Sequence, residues 1–403
     1  IRCCGDSRIT EGLFGDSLGS EVRMELIWAS DDFTLGGKAY AGFPLLLNAE
    51  MESFTPANMF LRHHILKGRV KSKKSWASVG RAMYDYFSFL EVNEFDWRDV
   101  DYGEKKTLPA AYRDYSLEEC GLSNSTVRQR IYYICQFYVY ALNQGWVKRL
   151  PFDIDERKPS RGYGFFAHIN ARRSNRSNDL LPRKDKRLPK FLSPSKVLSL
   201  LNSISNPHHY MMVKFALSTG LRREELATFP LCYIFDPDQK NQNKRNFVIS
   251  IDPSDGSGIK TKGSKARDIY ISRRLLAETT RYIQKQRNER SSLSKTLTRT
   301  LFVNHQGAPY ANGGKGIERI IRSYGARIGI RLHPHMLRHT YATLTLRALQ
   351  VSRSHIDPLI FLQRQLGHAS IETTMVYLDL LDEDTENAIL EYDDELILGL
   401  ETV

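Results

Sequence analysis

The chain of 403 residues is poor in cysteine, and none of what it has is spaced for chemistry. Cys3, Cys4, Cys120, Cys135 and Cys232 are odd in number and contain no CxxC pair. That pattern argues against a zinc site built on thiolates and fits a reducing compartment. Cys135 lies in the apolar stretch 131–137 and reads as a small buried hydrophobe. Long hydrophobic runs are missing too: no stretch approaches the roughly 20 apolar residues that cross a bilayer. No signal-peptide pattern stands near Ile1, and a cytoplasmic location without membrane attachment is expected. The nearest approach to a nucleotide-binding loop is Gly313-Gly314-Lys315-Gly316, which lacks the spacing and the following Ser or Thr. There is no internal repeat.

What is present is charge and enough apolar material for several cores. The hydrophobic fraction of 41%, with 11% aromatics, argues against a largely disordered chain, and the length points to two or three domains. The formal net charge of +12 speaks about partners: a basic surface attracts polyanions, nucleic acid first among them.

Along the chain, residues 1–55 form an N-terminal extension of mixed polarity, read as a small β element and a loop. From about residue 56 the pattern is helical. Trp76, Val79, Met83, Tyr86, Phe87 and Leu90 recur at spacings of three and four, which gives one apolar face. A second stripe, Val127, Ile131, Ile134, Tyr138, Ala141 and Leu142, follows candidate N-caps at Ser123–Thr126 and ends near Gly145. Residues 56–155 therefore read as one helical domain. Segment 156–191 differs: Lys158, Arg161, Arg172, Arg173, Arg176, Arg183, Lys184, Lys186 and Arg187 stand among glycine, proline, serine and asparagine. It reads as a basic interdomain linker, and its position between folded units favours a strap along a nucleic-acid backbone over a merely solvated connection. A further domain, 192–385, opens on Ser193-Pro194, an N-cap with proline at the first helical position. Within it 247–251 and 267–272 alternate as paired strands and the remainder is mostly helical. The fold class expected is mainly α with a small antiparallel β-sheet. The tail, 386–403, is acidic with one apolar run at 396–400.

Four short segments of the last domain carry chemistry-bearing residues. In Thr219-Gly220-Leu221-Arg222, a glycine turn opens a helix, so Arg222 sits at a positive helix N-terminus; Glu225 shares its face three residues on. Lys262 and Lys265 lie in the turn between the two strands, where a lysine reaches far from an anchored base. His335 and Arg338 share a helical face. Because His335 and His339 are spaced i, i+4, a metal reading arises, but Arg338 between them disfavours a cation. Finally His368 follows a turn at Gly367, and Tyr377 lies nine residues further on.

Taken in order, Arg222 with Glu225, Lys262, His335-x-x-Arg338, Gly367-His368 and Tyr377, these segments resemble the catalytic domain of the tyrosine recombinase and phage-type integrase family. The resemblance spans about residues 192–385, and 57–155 looks like that family's core-binding domain. Two departures exist. Lys262 is preceded by Thr261 where the family usually has glycine, which leaves Lys265 as a fallback. The stretch 344–361 is longer than in simple members. The resemblance implies a two-domain DNA clamp and a bacterial, nucleoid-associated recombinase or integrase. It would act on double-stranded DNA as a homotetramer on two sites, with an accessory directionality factor as a further partner and the tail 386–403 docking on a neighbouring protomer. No metal or ATP is expected. Tyr377 is the implied nucleophile, forming a 3′-phosphotyrosine. Arg222 and Arg338 suit the phosphate because guanidinium forks pair bidentately with it and keep their charge. His335 is the expected base, Lys262 the acid for the leaving 5′-oxygen, His368 a phosphate ligand and Glu225 a supporting group. A type IB topoisomerase or telomere-resolving enzyme shares such a site. A non-catalytic DNA-binding protein on the same scaffold and a metal-dependent nuclease are further alternatives.

Overall fold

A computed structural model describes residues 24–67, 72–101, 103, 106–157, 175–178, 180–182, 188–240, 244–294, 297–351, 357–378 and 380. The chain divides into two compact units, 1–186 and 187–403.

The first unit is built on four helices: α1 (Thr55–Leu66), α2 (Trp76–Val92), α3 (Leu108–Glu118) and α4 (Asn124–Asn143). The periodic residues of α2 are all buried, as are Val127, Ile131, Ile134, Tyr138 and Ala141 of α4. Ser123 caps α4 by accepting from the Thr126 N–H, and Gly145 closes it with φ +70°. Residues 24–54, before α1, contribute Met24, Phe43 and Leu46 to the same core. Strands β1 (Glu25–Trp28) and β4 (Pro44–Leu47) pair antiparallel, and Phe43 and Leu46 are buried among the aromatic rings of the helices. Between them β2 (Thr34–Leu35) and β3 (Lys38–Ala39) form a minimal hairpin. The physical reason is packing: Gly80 of α2 lies so close to Pro44 that a Cβ there would stand 2.5 Å from Pro44 Cβ. Of the basic linker, β5 (Ile154–Arg157) pairs with β6 (Asn175–Asn178), and Leu180 is buried in the first unit's core. Lys158, Arg161, Arg172, Arg173, Arg183, Lys184, Lys186 and Arg187 lie outside the described residues, as does the tail 386–403.

The second unit opens as its sequence predicts. Ser193 accepts from the Lys196 N–H and Pro194 begins α5 (Pro194–Asn202). Helix α6 (Pro207–Thr219) leads to α7 (Arg223–Ala227). The expected strands are β7 (Asn246–Ile251) and β8 (Arg267–Ser272), antiparallel with Ile249 opposite Ile269. Their alternation buries Phe247, Ile249, Ile251, Ile269 and Ile271 on one face. Then follow α8 (Arg273–Tyr282), a π turn over Ile283–Arg287, α9 (Asn288–Ser291), α10 (Lys315–Arg327), α11 (Pro334–Val351) and α12 (Pro358–Leu366). A last helical stretch, 372–378, carries Tyr377. Among the described residues no helix is long and apolar enough to cross a membrane.

Candidate active site

Two helix ends and one arginine build the centre of the site. Helix α6 stops at Gly220 and α12 at Gly367, each with φ +65°, the left-handed conformation that closes a helix without a Cβ penalty. Both positions are also crowded. A Cβ on Gly220 would stand 2.4 Å from Tyr341 Cδ1, and one on Gly367 would stand 2.7 Å from Arg267 Cδ. Helix C-termini present carbonyls without intrahelical partners and a negative dipole end. Arg338, on α11 and only 1% exposed, donates from Nη1 to Gly220 O at 2.7 Å and from Nη2 to Leu366 O at 2.6 Å. The guanidinium is thus held by two helix ends and, among the described residues, by no carboxylate. Burial, and after it Arg222, pulls Arg338 down to about 9, which still leaves it charged at neutral pH.

Arg222 is placed by Glu225. Its main-chain N–H donates to Glu225 Oε2 at 2.8 Å and its Nη1 to Oε1 at 3.0 Å, while Nη2 reaches Gly367 O at 3.4 Å. Glu225 is buried and gripped from the far side by Arg267 at the start of β8. Nη1 of Arg267 donates to Oε1 at 2.9 Å and Nη2 to Oε2 at 2.7 Å, a bidentate pair. Burial alone would raise the Glu225 carboxyl, but hydrogen bonds and charge from Arg267, with help from Arg222, hold it at about 2. Arg267 also donates from Nε to Gln365 O at 3.1 Å, which ties the hairpin to the end of α12. Arg222 therefore keeps part of its fork toward solvent while its base is locked.

Tyr377 is buried in a small apolar cluster with Ala342, Leu346, Leu362 and Leu366. Its hydroxyl stands 2.9 Å from Nδ1 of His339, and its ring stacks on His368 at 6.2 Å between centroids. His368 Nδ1 is in turn 3.0 Å from the Thr374 hydroxyl, which fixes the imidazole one turn before the tyrosine on the 372–378 helix. His335 packs edge-on against His339 at 4.6 Å between ring centroids and is itself solvent-exposed. Every ring here is kept neutral. Desolvation and then the positive charge of Arg338 and Arg222 bring His368 to about 3. Desolvation, then His335 and Arg338, bring His339 to about 4. Desolvation, then Arg338 and Arg222, lower His335 as well, with a contribution from Lys262. Burial raises the Tyr377 phenol, and Arg338 and Arg222 oppose that rise.

Lys262 lies on the exposed turn between β7 and β8, in which Thr261 Oγ1 donates to Lys265 O and Gly263 and Ser264 both have positive φ. Its positive charge is among those that lower His335. Six of the residues singled out in the sequence thus converge, Arg222, Glu225, His335, Arg338, His368 and Tyr377, while Lys262 stays on the exposed turn. Two further residues of the site, Arg267 and His339, lie within the motif segments of the sequence without a role assigned to either. Arg267 closes the segment Lys262–Arg267 and opens β8. His339 stands next to Arg338 with no pattern linking it to a tyrosine 38 positions on. Among the described residues no group of three or more His, Cys, Asp or Glu is arranged to hold a metal ion.

Residues 190–384 match the phage integrase family. A tyrosine recombinase of Pseudothermotoga lettingae is 30% identical over 211 residues, which is 52% of this chain and 62% of that relative, less than two thirds of its length. The tyrosine recombinase XerC of Roseiflexus castenholzii is 26% identical over 334 residues, 81% of this chain and 89% of the relative. Among solved structures, the XerH site-specific recombinase bound to a palindromic difH substrate has a TM-score of 0.54 at 18% identity, covering 84% of this chain and 85% of that one. The Tn1549 transposon integrase in complex with a circular intermediate DNA has a TM-score of 0.54 at 19% identity, covering 83% of this chain and all of that one. At such identity the likeness is one of fold.

Proposed function

The chain carries, over residues 190–384, a domain of the phage integrase family of tyrosine recombinases, and from that premise we propose that it is a site-specific DNA recombinase or integrase. It cleaves and rejoins double-stranded DNA through a covalent 3′-phosphotyrosine on Tyr377. The observation that carries this reading is the convergence of Arg222 and Arg338 with a buried tyrosine whose hydroxyl is already held by an imidazole. Both guanidiniums are aligned by the same helix end, since Arg222 reaches Gly367 O and Arg338 reaches Leu366 O.

A phosphodiester under attack gathers negative charge on its non-bridging oxygens. Preorganised guanidiniums stabilise that charge without reorganising at the moment of reaction. Arg222 and Arg338 supply them, and Glu225 and Arg267 keep Arg222 in place. Tyr377 Oη loses its proton to a histidine of the site and bonds to phosphorus as the bond to the 5′-oxygen breaks, and Lys262 protonates the departing oxygen. His368 donates to the phosphate. The covalent link conserves the phosphoester, so the free 5′-hydroxyl of another strand reverses the step without ATP. Neither a metal nor a nucleotide takes part. Two DNA sites are joined by a homotetramer of the chain, with an accessory factor setting direction and the tail 386–403 reaching a neighbour. The basic segment 158–187 tracks the DNA backbone.

A nicked duplex whose 5′ fragment diffuses away traps the covalent intermediate. The reading expects a protein–DNA adduct with the unaltered chain in the presence of EDTA, and none with Tyr377→Phe, which binds the duplex equally well. Cleavage that EDTA abolishes would overturn it.

A further inference from the structure

We propose that His339 is the proton acceptor for Tyr377, and that His335, its neighbour one helical turn earlier, serves the phosphate instead. The proposal rests on the recombinase reading of this same site. Its starting point is geometric: the Tyr377 hydroxyl has a partner in His339 Nδ1 at 2.9 Å, while His335 meets His339 edge-on.

Several features of the surroundings suit His339 to the task. Both partners are anchored, His339 on the long helix α11 and Tyr377 within the buried cluster around Leu362 and Leu366. The bond therefore does not depend on an exposed, rotating side chain. The groups that face His339 are cationic or neutral: Arg338, His335 and His333 on its own helix and the residue before it, and Tyr377 with the His368 ring behind it on the 372–378 segment. No carboxylate faces it among the described residues. His339 is accordingly neutral at working pH, with Nδ1 free to accept once the ring proton sits on Nε2. A ring that is already protonated could not accept, so the low basicity imposed by its neighbours is what keeps it competent. It also means that the proton is received only as negative charge builds on the nearby phosphate, which offsets the cations around the ring.

The step balances as follows. The Oη–H bond breaks and its proton passes to His339 Nδ1, while Oη bonds to phosphorus. The bond from phosphorus to the 5′-oxygen breaks, and that oxygen takes a proton from Lys262. Rejoining runs the same transfers backward, with His339 returning its proton to Oη as the tyrosine leaves. His335, exposed and under the charge of Lys262, is left to donate to a non-bridging oxygen.

Replacing His339 by glutamine keeps a side chain that can hydrogen-bond Oη but cannot take its proton. With the nicked duplex in EDTA, His339→Gln is expected to form the covalent adduct at least ~10²-fold more slowly than the unaltered chain, with duplex binding retained. Putting a fluorinated tyrosine, already ionised near neutral pH, in place of Tyr377 removes the need for an acceptor. It is expected to restore the rate of His339→Gln and not that of His335→Gln. Adduct formation by His339→Gln within a factor of two of the unaltered chain would overturn the proposal. So would a slow His339→Gln that the fluorinated tyrosine fails to restore, because a merely positional role predicts that result, and so would restoration of His335→Gln in its place. Failure of the recombinase reading looks different: the unaltered chain itself would form no adduct.

Discussion

Glu225 is a carboxylate with 1% exposure between two arginines, and its energetics follow from what each side chain would leave behind. Removing one partner of a buried pair strands a charge at a cost of about 3–5 kcal/mol. Arg267→Ala is therefore expected to destabilise the second unit, by less than that because Arg222 still pairs with Glu225, read by denaturant unfolding, and to loosen Arg222 at the same time. The pH dependence has a definite sign. His208, His339 and His368 have folded-state values of about 3, 4 and 3, below the ordinary 6.5, so protons bind the unfolded chain more readily. Stability is then full above about pH 6.5 and falls as the pH drops toward 4 and 3. Glu225, held at about 2 against an ordinary 4.5, extends that loss below pH 4.5. Melting temperatures between pH 8 and 3 should show a decline that begins near 6.5, and a profile flat to pH 4 would contradict these burials. His208 belongs to this set although it lies outside the catalytic cluster. Its ring is buried with Tyr282 Oη 2.7 Å from Nδ1 and Tyr310 Oη 3.2 Å from Nε2, and burial, then the charge of Arg290, disfavours an added proton.

At the scale of elements, the site is an arrangement of helix ends. Gly367 combines a left-handed φ with a Cβ position that Arg267 already fills. Gly367→Ala is expected to cost at least ~1 kcal/mol for the backbone conformation alone. It should also displace Arg267 from Glu225, lowering the rate of adduct formation more than duplex binding. Measuring both on one preparation separates the two effects. These helix ends were readable in advance. Serine and proline at 193 and 194, the glycine after α6 and the alternation of 247–251 and 267–272 are local signals, and local signals specify local structure. The periodic faces of α2 and α4 were legible for the same reason. What the sequence did not disclose is set by packing between distant segments. Residues 24–54 alternate too briefly to reveal that they close over the α2 face at Gly80. The pairings of Arg267 with Glu225 and of His339 with Tyr377 were hidden because the partners lie 42 and 38 positions apart. No periodicity couples residues at that range.

For the whole molecule the dominant fact is a net charge of +12 with much of the excess in segment 158–187. Each phosphate neutralised by a lysine or arginine should contribute a slope of about −0.9 to the logarithmic dependence of DNA affinity on salt. Replacing Arg172, Arg173 and Arg176 by glutamine is expected to weaken duplex binding uniformly across sequences. It should also shallow that slope by roughly one for each phosphate no longer neutralised. An unchanged slope would place the DNA backbone elsewhere on the protein. Sequence preference should survive the change, since backbone contacts position the duplex and carry no base readout. The most direct measurement of the central claim is mass spectrometry of the trapped intermediate on a nicked duplex, with EDTA present throughout. One adduct is predicted, a 3′-phosphate ester on Tyr377, lost entirely in Tyr377→Phe. An adduct on another residue, or free 3′-phosphate ends with no adduct at all, would contradict it.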